Sequence, residues 1–168
     1  MVDNSQPRPL LVGNEHIEPP FPVHLKGLVK HGFGRGSKDL GIPTANLPED
    51  VVQAACSNLQ TGVYFGWAQV GTETEVHGMV MSLGWNPYYK NEKLSGEVHI
   101  LHDYPHDFYG DELRVVVLGY IRPERDYSSL DALIYDINVD ITVAKNSMNR
   151  NSYKAFQKDK TFLQAPQP

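Results

Sequence analysis

The stretch GVYFGWAQV, residues 62–70, alternates aromatic and β-branched side chains with small ones. Such a composition suits a pleated, half-buried surface and predicts a strand. Similar runs lie on either side of it. VHLKGLVKHGFG (23–34) separates Val23, Leu25 and Leu28 by polar partners, and TEVHGMVMSLG (74–84) ends at the turn-like WNPYYKNEK. LSGEVHILHDY (94–104) and ELRVVVLGYIRPE (112–124) supply two more. Short strands at regular spacing with turn signals between them predict a closed antiparallel barrel or sandwich. The period then changes. In SSLDALIYDINVDITVAKNSM (128–148), Leu130, Leu133, Ile134, Ile137, Ile141 and Ala144 recur at steps of three and four, the pattern of an amphipathic helix. Ser128 with Asp131 reads as its capping box, and Lys145 lies near the end that favours a cation. A second short helix is expected over 152–163, with Tyr153, Phe156 and Phe162 as its apolar residues. Residues 1–22 are polar and proline-rich, an irregular lead-in to a single domain over 23–168.

The length of 168 residues fits about one domain, large enough to bury a core without staples. A net charge of −5 argues against a dedicated nucleic-acid binder, which carries a basic face. The single cysteine, Cys56, excludes an intramolecular disulfide framework and reads as a small buried side chain. No apolar run approaches the ~18 residues of a membrane span, and the first residues lack the basic and apolar regions of a secretory signal. These features predict a cytoplasmic, monomeric protein.

The chemistry concentrates in GRGSKDLGIPTANLPED, residues 34–50. The segment matches neither the Walker template nor the dinucleotide-binding fingerprint. Gly32, Gly34 and Gly36 nevertheless permit the close backbone approach of an anion nest, and Lys30, Arg35 and Lys38 surround it with positive charge. Pro43 favours an extended chain before it. An extended chain puts Thr44 and Asn46 on one face and Ala45 on the other. A hydroxyl and an amide carbonyl presented together are hard oxygen ligands, suited to Mg²⁺ bound to nucleotide phosphates.

With HGFGRGSKDLGIPTANL (31–47), GVYFGWAQV (62–70), SLGWNPYY (82–89), GEVHILHDYPHDFYGDELRV (96–115) and YIRPERDYSSLDALIYDINVDI (120–141) in this order, the chain resembles riboflavin kinase, in its monofunctional, eukaryotic-type form without a preceding adenylyltransferase domain. The resemblance implies a six-stranded antiparallel Greek-key β-barrel with one or two C-terminal helices packed on it. It also implies transfer of the γ-phosphate of ATP to the 5′-hydroxyl of riboflavin, giving FMN and ADP. Carried over by position, Glu97 is the catalytic residue, and Thr44 and Asn46 hold the metal, whether Mg²⁺, Zn²⁺ or Mn²⁺. Gly34, Arg35, Gly36, Ser37, Lys38, Gly41 and Pro43 belong to the ATP-binding flap, and Arg122 to the flavin side.

Within 94–104, Val98 and Ile100 point one way and Glu97 and His99 the other. His99, His102, Asp103, His106, Asp107 and Asp111 invite a zinc site, but their spacing matches no zinc motif and Pro105 interrupts any helix that would align them. Trp85, Tyr88 and Tyr89 could stack on a flat ring or pack the barrel. The alternative to a kinase is a non-catalytic flavin- or nucleotide-binding barrel. An acid placed to deprotonate the acceptor separates the two.

Overall fold

The computed structural model describes residues 7–30, 43–85 and 93–164. Strands β1 (Val23–Leu28), β2 (Ala45–Asn46), β3 (Gly62–Val70), β4 (His77–Trp85), β5 (Leu94–Ile100) and β6 (Glu112–Arg122) form one antiparallel sheet in the order β1-β6-β3-β4-β5-β2. The sheet curls until its edges meet. Beyond β1, Lys30 forms a single bridge to Asn46 of β2, and its N–H donates to the Asn46 carbonyl at 2.9 Å.

Alternation along the strands sorts two cores. One face carries Leu25, Tyr64, Met79, Met81, Leu83, Val98, Val115 and Val117 into the barrel interior. Helix α1 (Glu49–Cys56) closes this side with Val52 and Cys56, both fully buried. Burial pushes the Cys56 thiol up to about 11, so it stays protonated and inert. The other face carries Val63, Phe65, Trp67, Val80, Val116 and Leu118. It is covered by Ala144 and Met148 of α2 (Leu130–Met148) and by Tyr153 of α3 (Asn151–Lys154), which runs into a 3₁₀ turn over Ala155–Lys158. The Trp67 indole N–H donates to the Tyr153 carbonyl at 2.8 Å, fixing the C-terminal turns to the sheet.

The expected helix is present, but its cap and its buried face differ from the sequence pattern. The N-cap is Ser129, not Ser128, and its hydroxyl accepts from the Ala132 N–H at 3.1 Å. Of the expected stripe, Leu130 is exposed while Ala144 is buried and Ile141 packs on the helix-covered core, and Asp136, Asp140, Val143, Ser147 and Met148 complete the buried face. Residues 7–22 form neither helix nor strand, yet they are strapped to α2 and α3 by side-chain bonds described below.

A register shift bends β6 near its end. Val63 of β3 lies opposite Arg122, whereas Tyr64 lies opposite Tyr120, so Ile121 is the extra residue of a bulge. Tyr120 packs against the interior core, and Ile121 against the helix-covered core. The bulge carries Arg122 out of the barrel interior to meet α2.

Phe65 is fully buried, with its ring 5.7 Å from that of Tyr153. Phe65→Ala is expected to cost about 3–5 kcal/mol in urea unfolding. Tyr135→Ala, at a residue 70% exposed, is expected to change stability by less than about 0.5 kcal/mol.

Candidate active site

Two residues of β2 set the site. Ala45 pairs with Val98 and Asn46 with Glu97, and Ala45 and Val98 point into the interior core. Asn46 and Glu97 therefore share the opposite face, with Thr44 and His99 one step along it. The Thr44 hydroxyl lies beside the Glu97 carboxylate and pulls its pKa down. The His99 Nδ1–H donates to the Pro43 carbonyl at 2.9 Å, which holds the start of the segment on β5. The chain thus puts one carboxylate, one hydroxyl and one amide side by side.

Glu97 is half-buried, and burial pushes its carboxyl above the usual glutamate range, against the opposing pull of the Thr44 hydroxyl. Thr44 has capacity to spare. A hydroxyl beside a carboxylate keeps oxygen lone pairs for a cation or another donor. Among the described residues no three His, Cys, Asp or Glu side chains form a metal cage. The donors at hand suit an ion that completes its shell from phosphates and water.

A lateral row continues from Glu97 across the sheet. Glu97 pairs with Ser82 of β4, Ser82 with Val63 of β3, and Val63 with Arg122 of β6. At ~4.8 Å per strand, Arg122 lies roughly 14 Å from Glu97 along the sheet. Ser82 is exposed, leaving an open strip between β5 and the α2-covered face. A Cβ at Gly84, the next residue of β4 on this face, would fall onto the Glu124 carboxylate, so Glu124 lies over the end of the strip. Arg122 is buried. Its Nε and Nη2 donate to the two Asp140 carboxylate oxygens at 2.9 Å each, and Nη1 to the Pro123 carbonyl at 3.1 Å. Its guanidinium is thus committed to α2 and to the loop that follows β6.

A cavity opens beside Thr44, lined by Val29, Ile100, His102, Tyr104 and Phe108 among others. Of the residues that invited a zinc hypothesis, His102, His106 and Asp107 line this cavity, but among the described residues no three of that kind are arranged to hold a metal. His99 serves Pro43, and His102 stacks on His77 with centroids 4.0 Å apart. Trp85, at the end of β4, is 48% exposed. Gly34, Arg35, Gly36, Ser37, Lys38 and Gly41 of the glycine loop, together with Tyr88 and Tyr89, lie outside the described residues. Both flanks of that loop end at the site, since Lys30 bridges to Asn46 and Pro43 bonds to His99.

The flavokinase (riboflavin kinase) family model matches residues 19–148. The chain belongs to the riboflavin kinase family. Human riboflavin kinase is 50% identical over 142 residues, covering 84% of this chain and 91% of the relative. Riboflavin kinase of Pyricularia oryzae is 45% identical over 162 residues, covering 87% and 81% respectively. The crystal structure of riboflavin kinase from Trypanosoma brucei superposes with a TM-score of 0.68 at 27% identity, covering 88% of this chain and 92% of that one. The expected fold of the family, antiparallel strands with C-terminal helices packed on them, is the one observed.

The open strip, the bond from His99 to Pro43 and the cavity were not anticipated from the sequence. The strip's one local signal was a serine among the apolar residues of MVMSLG.

A carboxyl whose folded pKa is raised lowers stability above that pKa, and the penalty disappears once the group is protonated in both states. Glu97→Gln is therefore expected to unfold at higher urea than wild type at neutral pH. The gap should close as pH falls below the ordinary glutamate range, and urea midpoints measured across that range check it.

Proposed function

We propose that ATP and riboflavin meet on the outer face of β2 and β5, where Glu97 accepts the proton of the ribityl 5′-hydroxyl as that oxygen attacks the γ-phosphate. Membership of the family supplies the reaction, ATP-dependent phosphorylation of riboflavin to FMN with release of ADP. The observation that carries the placement is the juxtaposition of Glu97 with Thr44 and Asn46 across one strand pair.

The acceptor hydroxyl is a weak nucleophile, and phosphoryl transfer is mostly a matter of positioning. Glu97 is placed by its strand, opposite Asn46 and next to the Thr44 hydroxyl, before substrate arrives. Its raised pKa brings it nearer the working pH, which makes it a stronger base while it remains ionised. The Thr44 hydroxyl and the Asn46 carbonyl oxygen would hold the divalent ion, and such oxygen donors suit Mg²⁺ or Mn²⁺ better than Zn²⁺. When bound there, the ion would offset the negative charge that the phosphates carry and develop.

The cavity beside Thr44 supplies apolar and aromatic walls for the nucleobase, with Tyr104 and Phe108 as stacking surfaces. Pro43 lies at its rim. From there Gly34, Arg35, Gly36, Ser37, Lys38 and Gly41 would cover the phosphates, since the two flanks of their loop are fixed next to the metal donors. On the other side, a ribityl chain that ends at Glu97 can run over Ser82, bringing the tricyclic ring towards Gly84, Glu124 and the loop that Arg122 anchors. Arg122 then serves the flavin by fixing that loop and through its charge. Residues 23–168 act as one domain in this reading. A cytoplasmic, monomeric enzyme fits a chain whose one cysteine is buried and inert and whose substrates are small molecules.

Incubation with riboflavin and Mg-ATP, followed by chromatography, should give FMN and ADP in equal amounts. Glu97→Gln should lower kcat about 10²–10⁴-fold with both KM values nearly unchanged. In wild type, kcat/KM should rise with pH through an acid limb set above the ordinary glutamate pKa of about 4.3, and the glutamine variant should lose that limb. Near-wild-type turnover of the variant would leave Glu97 an orienting residue. Ligand binding without FMN would mark a storage barrel.

A further inference from the structure

Residues 7–14 run along α2 and α3 as a fixed strap. The Val12 N–H donates to the Ser147 hydroxyl at 3.1 Å, and the Asn146 amide to the Leu10 carbonyl at 2.9 Å. Arg150 Nη1 donates to the Gly13 and Asn14 carbonyls at 2.9 Å each, and the Tyr153 hydroxyl to the Asn14 carbonyl at 2.8 Å. The strap precedes the family match, which begins at residue 19.

This strap delivers Arg8 into the buried acidic face of α2. Arg8 Nη1 donates to Asp136 Oδ1 at 2.5 Å, and Nη2 to Asp140 Oδ1 at 2.6 Å. The same two carboxylates also hold the rim of the open strip, Asp140 sharing its Oδ1 between Arg8 and Arg122. Asp140 binds Arg122, and Asp136 Oδ2 accepts from the Tyr127 hydroxyl at 2.5 Å with Arg125 Nη1 at 3.5 Å. The Asp136 and Asp140 side chains are only 6% and 2% exposed. Two buried carboxylates need two close cations, and Arg122 is only one of them. Burial pushes the Asp136 carboxyl up, but the Tyr127 hydrogen bond and the Arg8 and Arg122 charges outweigh it and hold the group below its ordinary value.

Resting on the reading that riboflavin lies along the strip, we propose that Arg8 is a positioning residue for the acceptor. By neutralising Asp136 and Asp140, it keeps Arg125, Tyr127 and the loop over residues 123–129 at the rim. Without Arg8 the two carboxylates draw in the next available cation. That cation is Arg125, at longer range and 22% exposed, and its movement resets the rim beside Glu124 and Gly84. The nucleotide side lies across the sheet, on β2 and β5, and among the described residues it shares none of these contacts.

The test compares steady-state kinetics of the full chain with those of its Arg8→Met, Arg8→Gln and Arg8→Lys variants, alongside their thermal unfolding. The KM for riboflavin should rise roughly three- to thirtyfold in the methionine and glutamine variants, the scale of coupling carried through packed networks. The KM for ATP and kcat should stay within about twofold. Arg8→Lys restores a cation without the two-pronged fork, so it should recover part of the loss. Should the methionine variant fail to fold, the glutamine variant carries the comparison. An unchanged KM for riboflavin, or parallel rises in both KM values, would overturn the role and leave Arg8 a structural clamp. Failure of the wild-type chain to make FMN would instead overturn the underlying reading of the site.

Discussion

The two-residue pairing of β2 with β5 is the constraint on which the rest depends. Ala45 opposite Val98 and Asn46 opposite Glu97 bring the far edge of the sheet within reach of Lys30, which closes the curl. So short a strand has little ladder of its own. Ala45 and Leu47, 3% exposed each, hold it in the interior core, and the Leu47 N–H donates to the Gly96 carbonyl at 3.1 Å. Burying a leucine side chain stabilises by about 1.5–3 kcal/mol, more than the net contribution of about 0.5–1.5 kcal/mol from a hydrogen bond. Packing fixes the strand, and its pleat then sets which side chains face out. A slip of one residue would send Thr44 and Asn46 inward and separate them from Glu97.

A second constraint is electrostatic. The face that α2 turns towards the protein in its first half is acidic, and Arg122, Arg8 and Tyr127 meet it there. Such a cluster is weak evidence for stability, because desolvation of each charge offsets much of the attraction. Its consequence is geometric. Planar guanidinium groups on fixed carboxylates admit few arrangements, so the loop after β6 is set at one end of the open strip. The bulge at Ile121 makes this possible, since unbroken alternation would turn Arg122 into the barrel with Tyr120.

Much of the architecture was legible because its signal is local. The alternation in GVYFGWAQV is the whole of β3, and Thr44 and Asn46 share a face because any extended chain puts them there. What was hidden depends on distant partners. Leu130, Leu133, Ile134 and Ile137 mark a helix correctly but not its buried side, because the cations that draw Asp136 and Asp140 inward come from Arg8 and Arg122. Helix α1 is short, and its apolar pair Val52 and Cys56 gives little periodicity until the barrel end it covers is known. The neighbourly relation of Glu97 to Asn46 is a fact of register, which no local pattern carries. Ser128 and Ser129 are equally good caps by type, and only the backbone chooses Ser129.

The proposed site requires Thr44, Asn46 and Glu97 to form one phosphate-and-metal face. Paramagnetic broadening of the amide resonances of an isotope-labelled sample by Mn²⁺-ADP, with Mg²⁺-ADP as the diamagnetic reference, measures that directly. Broadening is expected to centre on Thr44, Asn46 and Glu97, to be weaker at Ser82 and weakest at Asp136 and Asp140. Broadening centred on the His102–Phe108 loop, with Thr44 and Asn46 sharp, would contradict the proposed site.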